Sequence, residues 1–291
     1  MKQLFLLLLT TLSLSAQIKG VVLDSISGKP IPYVGVFSSK PEFNFSTDKK
    51  GKFKADNFTK QDTLWFFTTG YEEKKITVED LSKKILLKPI LNNQEKENID
   101  MYNQKKQWID FQTNNTSSFK TTSSSSTILK AYFIEGINSS NKNIILDKLS
   151  FKAVNLTQKE NIFKIRFFKA DSLKKVGEEI LTESIIVKME TSEKREPNTI
   201  YHFNALKEID FLDKEIQIPE EGFFIALESI NIKQNQYNVF FNETNNILIS
   251  PSINATNVVA NVYSYVKGKW RKIEKTNYFP DFKISIATTK N

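Results

Sequence analysis

From Ile18 onward the chain is written in short apolar runs broken by Gly, Pro, Asn, Asp and Ser. Thr63-Leu64-Trp65-Phe66-Phe67-Thr68 and Gly222-Phe223-Phe224-Ile225-Ala226-Leu227 are the most apolar of these runs. Other runs alternate apolar and polar residues with period two. Short runs with that period, set between turn residues, specify β-strands. No long segment keeps a helical period. The expected class is all-β, with a small sandwich followed by a larger, two-sheet, jelly-roll-like β-sandwich.

Among 291 residues there is no Cys and a single His. No disulfide can form, no thiolate can act, and no zinc site built on Cys or on several His can exist. Stability must come from buried apolar surface, and a 40% hydrophobic, 25% charged composition supplies it. The formal net charge is +8. Its Lys residues are scattered among Glu and Asp and read as solvated faces. No Lys/Arg-rich block or nucleic-acid motif occurs, so no nucleic-acid partner is expected.

Residues 1–16 read as a signal peptide. Lys2 precedes Leu4-Phe5-Leu6-Leu7-Leu8-Leu9, and small residues lead to Ser15-Ala16-Gln17. A basic start, a short apolar stretch and a small-residue exit direct export. A membrane span needs roughly 20 apolar residues, and Thr10, Thr11 and Ser13 interrupt this one. Cleavage is expected near Ala16. The expected destinations are the periplasm, the outer-membrane surface or the medium. No transmembrane segment is expected in the mature chain.

Residues 17–90 read as the first domain. Strands are expected at Ile18–Leu23, Ile31–Phe37, from Phe53, at Thr63–Thr68 as a central strand, and at Ile76–Val78 and Ile85–Leu87, about seven in all. Ser27-Gly28-Lys29-Pro30 reads as a turn, and Asp48-Lys49-Lys50-Gly51 as a hairpin turn. The order Gly20-Val21-Val22, Asp24, Gly28-Lys29-Pro30-Ile31-Pro32, Val34, Val36, then Thr47-Asp48, Gly51, Phe53, then Thr69-Gly70-Tyr71 resembles the carboxypeptidase regulatory-like domain. The resemblance implies a seven-stranded transthyretin/Ig-like sandwich in an exported bacterial envelope protein, and it implies no catalysis. Gly35 departs from the pattern, since that family often has a small residue such as Ala there.

Residues 91–127 read as a polar Ser/Thr/Asn-rich linker. A short helix or strand at Ile99–Phe111 is expected to dock Tyr102, Trp108, Ile109 and Phe111 on a domain. The Ser run is alternatively a long loop of the second domain. Residues 128–291 read as about a dozen strands, among them Ile128–Ile134, Ile144–Val154, Ile162–Phe168, Ile185–Met189, Tyr201–Leu206, Glu215–Ile218, Phe223–Ile230 and Phe282–Ala287. In Phe163-Lys164-Ile165-Arg166-Phe167 alternation sends the odd positions to the core and the cations to water. The block from Ile216 to Glu228 is similar to late strands of jelly-roll modules in exported bacterial proteins.

Candidate chemistry is sparse. His202 lies between Tyr201 and Phe203 with no Gly-x-Ser-x-Gly elbow in the chain, and it reads as a packed or edge residue. Ser-x-x-Lys recurs at Ser139/Lys142, Ser172/Lys175 and Ser264/Lys267 without its companion motifs. Glu208-Ile209-Asp210-Phe211-Leu212-Asp213 resembles the Glu-Ile-Asp-x-x-Glu strand of laminarinase- and agarase-type glycoside hydrolases. The resemblance implies Glu208 as nucleophile, Asp210 as tuner and position 213 as acid/base. Asp213 is one methylene short for that role, and the plain alternative is a polar turn between two strands. Asp171, Glu178 and Glu179 offer oxygen ligands but no calcium-loop spacing. Asp24-Ser25-Ile26, Asp62-Thr63-Leu64 and Asp171-Ser172-Leu173 look like an O-glycosylation pattern. Trp270, Tyr263 and Tyr265 are candidates for stacking on sugars.

The expectation is an exported, non-enzymatic envelope protein with no catalytic, cofactor-binding or metal residues and no cofactor. It acts as a binding or scaffold module for a polysaccharide or an envelope protein partner. The alternatives are a jelly-roll glycoside hydrolase using Glu208 and Asp213, and a purely structural envelope component.

Overall fold

Alternating side chains on seven short strands build the first domain from two sheets. The strands are β1 (Ile18–Asp24), β2 (Gly35–Ser38), β3 (Phe45–Ser46), β4 (Lys52–Ala55), β5 (Thr63–Phe67), β6 (Lys74–Thr77) and β7 (Lys84–Leu87). A computed structural model describes residues 18–90, 105–110, 120–121, 126–137, 144–154, 160–190, 205–241, 244–249, 252–257, 261–274, 278–280 and 282–288. The proposed signal peptide, most of the polar stretch 91–127, the Ser139/Lys142 pair and His202 lie outside those residues.

The three-stranded sheet runs β4-β1-β7 and the four-stranded sheet runs β3-β2-β5-β6. Strand β1 is antiparallel to β4 and parallel to β7. Val22, Phe53, Ile85 and Leu87 of the first sheet meet Val36, Leu64 and Phe66 of the second. The seven-stranded, Ig-like sandwich is as expected, and β5 is central between β2 and β6. The turn at 48–51 differs from expectation. It joins β3 of one sheet to β4 of the other, so it is a corner between layers rather than a hairpin. Asp48 Oδ1 fixes it by accepting from the Lys50 and Lys52 amides at 2.8 and 2.9 Å.

The remaining strands are β8 (Lys105–Asp110), β9 (Lys120–Thr121), β10 (Leu129–Ile134), β11 (Ile144–Val154), β12 (Asn161–Ala170), β13 (Val176–Glu179), β14 (Ile185–Met189), β15 (Ala205–Asp210), β16 (Phe223–Ser229), β17 (Gln236–Phe241), β18 (Thr244–Ile249), β19 (Ser252–Asn257), β20 (Val262–Val266), β21 (Lys269–Lys272), β22 (Tyr278–Pro280) and β23 (Lys283–Thr288). One sheet is ordered β13-β12-β16-β10-β20-β21, with β14 also paired to β12. The other is ordered β22-β19-β11-β23-β8, with β15 on β11 and β9 on β19, and β17 and β18 form a separate two-stranded sheet. Phe163, Ile165, Phe167, Phe223 and Ile225 of the first face Leu146, Leu149, Phe151, Ile284 and Ile286 of the second. This is the jelly-roll-like sandwich that the strand pattern specified. Strand β8, inside the polar stretch, pairs with β23 from Lys105↔Thr288 to Asp110↔Lys283.

Strand β12 corrects one expectation. Its residues 161–168 are all buried, and so are residues 223–228 of β16. Lys164 and Arg166 do not face water; they are 0% and 1% exposed. The reason is a further layer. The outer face of the β3-β2-β5-β6 sheet lies on this face of the jelly roll. Phe37, Trp65 and Phe67 pack there against Phe168, Phe224, Tyr263, Tyr265 and Trp270. Four sheets therefore stack with an apolar core in each of the three gaps.

Candidate functional site

The chemically densest place in the described residues is the seam between the two sandwiches. Lys164 and Arg166 are two apart on β12, so the pleat puts both on one face. Pairing with β16 sets Lys164 beside Glu228 and Arg166 beside the small Ala226. Pairing with β13 brings Glu179 opposite Phe168. Arg166 grips Glu179 with two parallel bonds, Nε to Oε1 at 2.8 Å and Nη2 to Oε2 at 2.6 Å. Its Nη1 donates to Glu228 Oε2 at 3.2 Å. Such a fork holds a carboxylate in register as well as neutralising it. Lys164 Nζ lies 3.5 Å from Glu228 Oε1, an oxygen that accepts no hydrogen bond among the described residues.

The first sandwich completes this cluster. Thr68 Oγ1 accepts from Lys164 Nζ at 3.0 Å, and Thr69 Oγ1 donates to Glu179 Oε1 at 2.7 Å. The Arg166 guanidinium lies 3.9 Å from the centre of the Phe67 ring. Tyr265 donates its hydroxyl proton to Glu73. Two cations thus meet Glu179 and Glu228, with the Glu73 carboxyl nearby, under a roof of hydroxyls and aromatic faces. Burial pushes the Lys164 ammonium down, against the pull of Glu228. Burial acts the same way on Arg166, but Glu179 and Glu228 outweigh it and hold the guanidinium above its ordinary value. Burial raises the Glu73 carboxyl, with Arg166 opposing.

Three glycines mark where the layers touch: Gly35, Gly268 and Gly70, on which a Cβ would lie 2.0 Å from Thr182 O. A Cβ on Gly35 would lie 2.7 Å from Glu228 Oε1 and 2.9 Å from Phe37 Cε2. The departure from the family pattern at Gly35 is therefore where the jelly roll's buried carboxylate closes on β2. Gly268, in the turn between β20 and β21, has φ 73°, and a Cβ there would lie 2.2 Å from Trp65 Nε1. Gly268→Ala is expected to cost about 1–3 kcal/mol by overpacking, read as a lower urea midpoint for the full chain. At the other end of the seam, Asn44 Nδ2 donates to Thr127 O at 3.2 Å, and the Ser46 and Thr127 hydroxyls are 2.8 Å apart.

The sequence candidates fall into other roles. Tyr263, Tyr265 and Trp270, considered for sugar stacking, belong to the seam. Tyr265 and Phe37 meet edge to face with ring centres 4.9 Å apart. Glu208 and Asp210 lie on β15, which pairs with β11, so the polar turn expected at this place is instead a strand up to Asp210. Glu208 is exposed and bound to Lys148 Nζ at 2.7 Å, and this carboxylate holds the Lys148 ammonium above its ordinary range. Asp213 sits in a short 3-10 turn, Leu212–Lys214, with Lys214 Nζ 3.3 Å away. No bulge carries Asp213 back onto the strand face beside Glu208, because the chain leaves the extended conformation at Phe211, φ −127° and ψ 2°.

Asp171 Oδ1 caps its own turn by accepting from the Leu173 and Lys175 amides at 2.9 and 2.7 Å, and Glu179 is held by Arg166. Among the described residues no cluster of three His, Cys, Asp or Glu is placed to hold a metal ion. The other Asp-Ser/Thr patterns cap turns as well. Asp24 Oδ1 accepts from the Ile26 and Ser27 amides, and Asp24 Oδ2 accepts from the Tyr71 hydroxyl at 2.9 Å. Burial and Asp24 push the Tyr71 phenol up to about 12.

Burial alone would raise the Asp62 carboxyl. Donors from Lys40, the Thr59 amide and hydroxyl, and Ser39 outweigh it and hold the group far below the usual carboxylate range. A depressed folded value contributes stability above the unfolded value, about 3.9, and loses it as pH falls through the folded one. Asp62→Asn is therefore expected to lower the urea midpoint at pH 7. That deficit should shrink below about pH 4 as the parent loses the same interaction.

A family model described as the CarboxypepD_reg-like domain matches residues 18–101, so the first sandwich is a domain of that kind. A comparison with curated proteins finds no match. Two solved structures are similar in part. One holds the cysteine protease and lectin-like domains of Cwp84, a surface layer associated protein of Clostridium difficile, with 9% identity and a TM-score of 0.34 over 57% of this chain and 33% of that one. The other is the clostridial cysteine protease Cwp84 after propeptide cleavage, with 8% identity and a TM-score of 0.38 over 84% of this chain and 51% of that one. This chain thus spans a third to a half of those proteins. No helix of the described residues is long and apolar enough to cross a membrane.

Proposed function

We propose that this chain is an exported, non-enzymatic envelope protein in which two sandwiches, joined as one rigid body, bind a polysaccharide. The observation that supports the reading is the seam. Lys164, Arg166, Glu179 and Glu228, together with Trp65, Tyr265 and Trp270, are occupied in holding the domains together. Groups of those types serve catalysis when they line an open cleft. Sealed between layers, they fix the relative orientation of two surfaces that loops and sheet faces make available for binding.

A panel of immobilised polysaccharides tests this with the chain from Gln17 onward, scoring retention and released reducing ends together. The expected result is retention on at least one polysaccharide with no product. Released ends that vanish in Glu208→Gln would overturn the non-enzymatic reading in favour of a glycoside hydrolase. Expression of the full chain in a Gram-negative host tests export. A product beginning near Gln17 in the envelope or medium is expected, and a full-length cytosolic product contradicts it.

A further inference from the structure

The outer face of the β4-β1-β7 sheet carries four lysines, with one acid, Asp56, at its margin. Cross-strand partners share a face, and the register puts Lys19 opposite Lys54 and Val21 between Lys52 and Lys84. Leu86 continues the apolar strip at the next outward position and is 46% exposed. All four lysines are exposed, whereas Val21 is half-buried. Lys54 reaches Asp56 at 3.4 Å at the margin. Lys19, Lys52 and Lys84 have no ion pair among the described residues.

Like charges directly opposite on adjacent strands repel, and the strand spacing sets Lys19 and Lys54 about 5 Å apart and Lys52 and Lys84 about 10 Å apart. Ammonium groups on flexible stems above a flat apolar strip suit a ligand that is itself flat, extended and repeatedly anionic. A membrane surface fits less well. Interfacial binding sinks several protruding apolar groups below the headgroups, and on this strip Leu86 is exposed while Val21 and Leu23 lie half-buried below the ammoniums.

We infer that this face binds an acidic polysaccharide, with Lys19, Lys52, Lys54 and Lys84 on its anionic substituents and the Val21–Leu86 strip against its sugar rings. The inference rests on the polysaccharide-binding reading and names the face and the charge class of the ligand.

The test compares retention of the full chain on immobilised polygalacturonate, on neutral dextran and on phosphatidylglycerol vesicles. Retention on polygalacturonate is expected, and it should weaken with salt, because exposed charges are screened. Lys52→Glu/Lys84→Glu is expected to weaken it about tenfold or more. Lys152→Glu/Lys169→Glu, the same change of charge at exposed sites on the second sandwich, is expected to leave it within about twofold. Equal urea midpoints for the two variants certify folding. Equal loss in both variants overturns the face assignment, since net charge alone then explains binding. Retention on vesicles but not on polygalacturonate overturns the ligand class. Retention on dextran alone, unchanged by Lys52→Glu/Lys84→Glu, overturns this inference and leaves polysaccharide binding standing. Retention on no glycan overturns both.

Discussion

Arg166→Met is expected to destabilise the full chain by about 3–5 kcal/mol, the cost of leaving a buried charge without its partner. Arg166 is the hub of the seam cluster. It makes the bidentate contact with Glu179 and the bond to Glu228 Oε2. After the substitution Glu228, 0% exposed, keeps among the described residues only Lys164 at 3.5 Å. Among the described residues Glu179 keeps only the hydrogen bond from the Thr69 hydroxyl at 2.7 Å. The contrast is as informative as the loss. Replacing the whole cluster with apolar residues of similar volume removes the unpaired charges, so that variant is expected to be more stable than Arg166→Met alone. Urea unfolding of the two variants checks both statements. A change below about 1 kcal/mol for Arg166→Met would mean that water reaches the cluster.

The second large effect is expected at Gly35. Gly35→Val places branched carbons where Glu228 Oε1 and Phe37 Cε2 already lie 2.7 and 2.9 Å from an ideal Cβ. Neither neighbour yields easily. Phe37 is 1% exposed and packed edge-on against Tyr265, and Glu228 is held by Arg166. Overpacking of about 3 kcal/mol is expected, and it should fall on the contact between sandwiches more than on the first sandwich itself. Combining Gly35→Val with Glu228→Ala is expected to cost less than the sum of the two single changes, because the second removes the atom that the first strikes. Strict additivity in urea midpoints would show that Gly35 is constrained by its own sandwich instead.

The first sandwich was legible because its strands have one dry face and one wet face. Lys52-Phe53-Lys54-Ala55 alternates in sequence and in burial alike. The same alternation misled at Phe163-Lys164-Ile165-Arg166-Phe167, where the polar face is covered by another layer. Its counter-charges, Glu179 and Glu228, come from elsewhere in the chain, so nothing local announces that the cations are paired. A signal was present in other strands. In β5, Leu64 and Phe66 point into the first sandwich while Trp65 and Phe67 point out of it. A strand that is apolar on both faces belongs between two layers, and Phe223 to Leu227 reads the same way. Glu208 and Asp213 shared a motif in sequence but not a face in space, because the strand ends between them.

The seam makes one body of two sandwiches. Differential scanning calorimetry of the full chain from Gln17 onward tests it most directly. A single transition is predicted, with calorimetric and van't Hoff enthalpies equal. Arg166→Met should lower its midpoint or split it. Two separate transitions in the parent chain, unmoved by Arg166→Met or Gly35→Val, would show that the sandwiches fold independently of the seam.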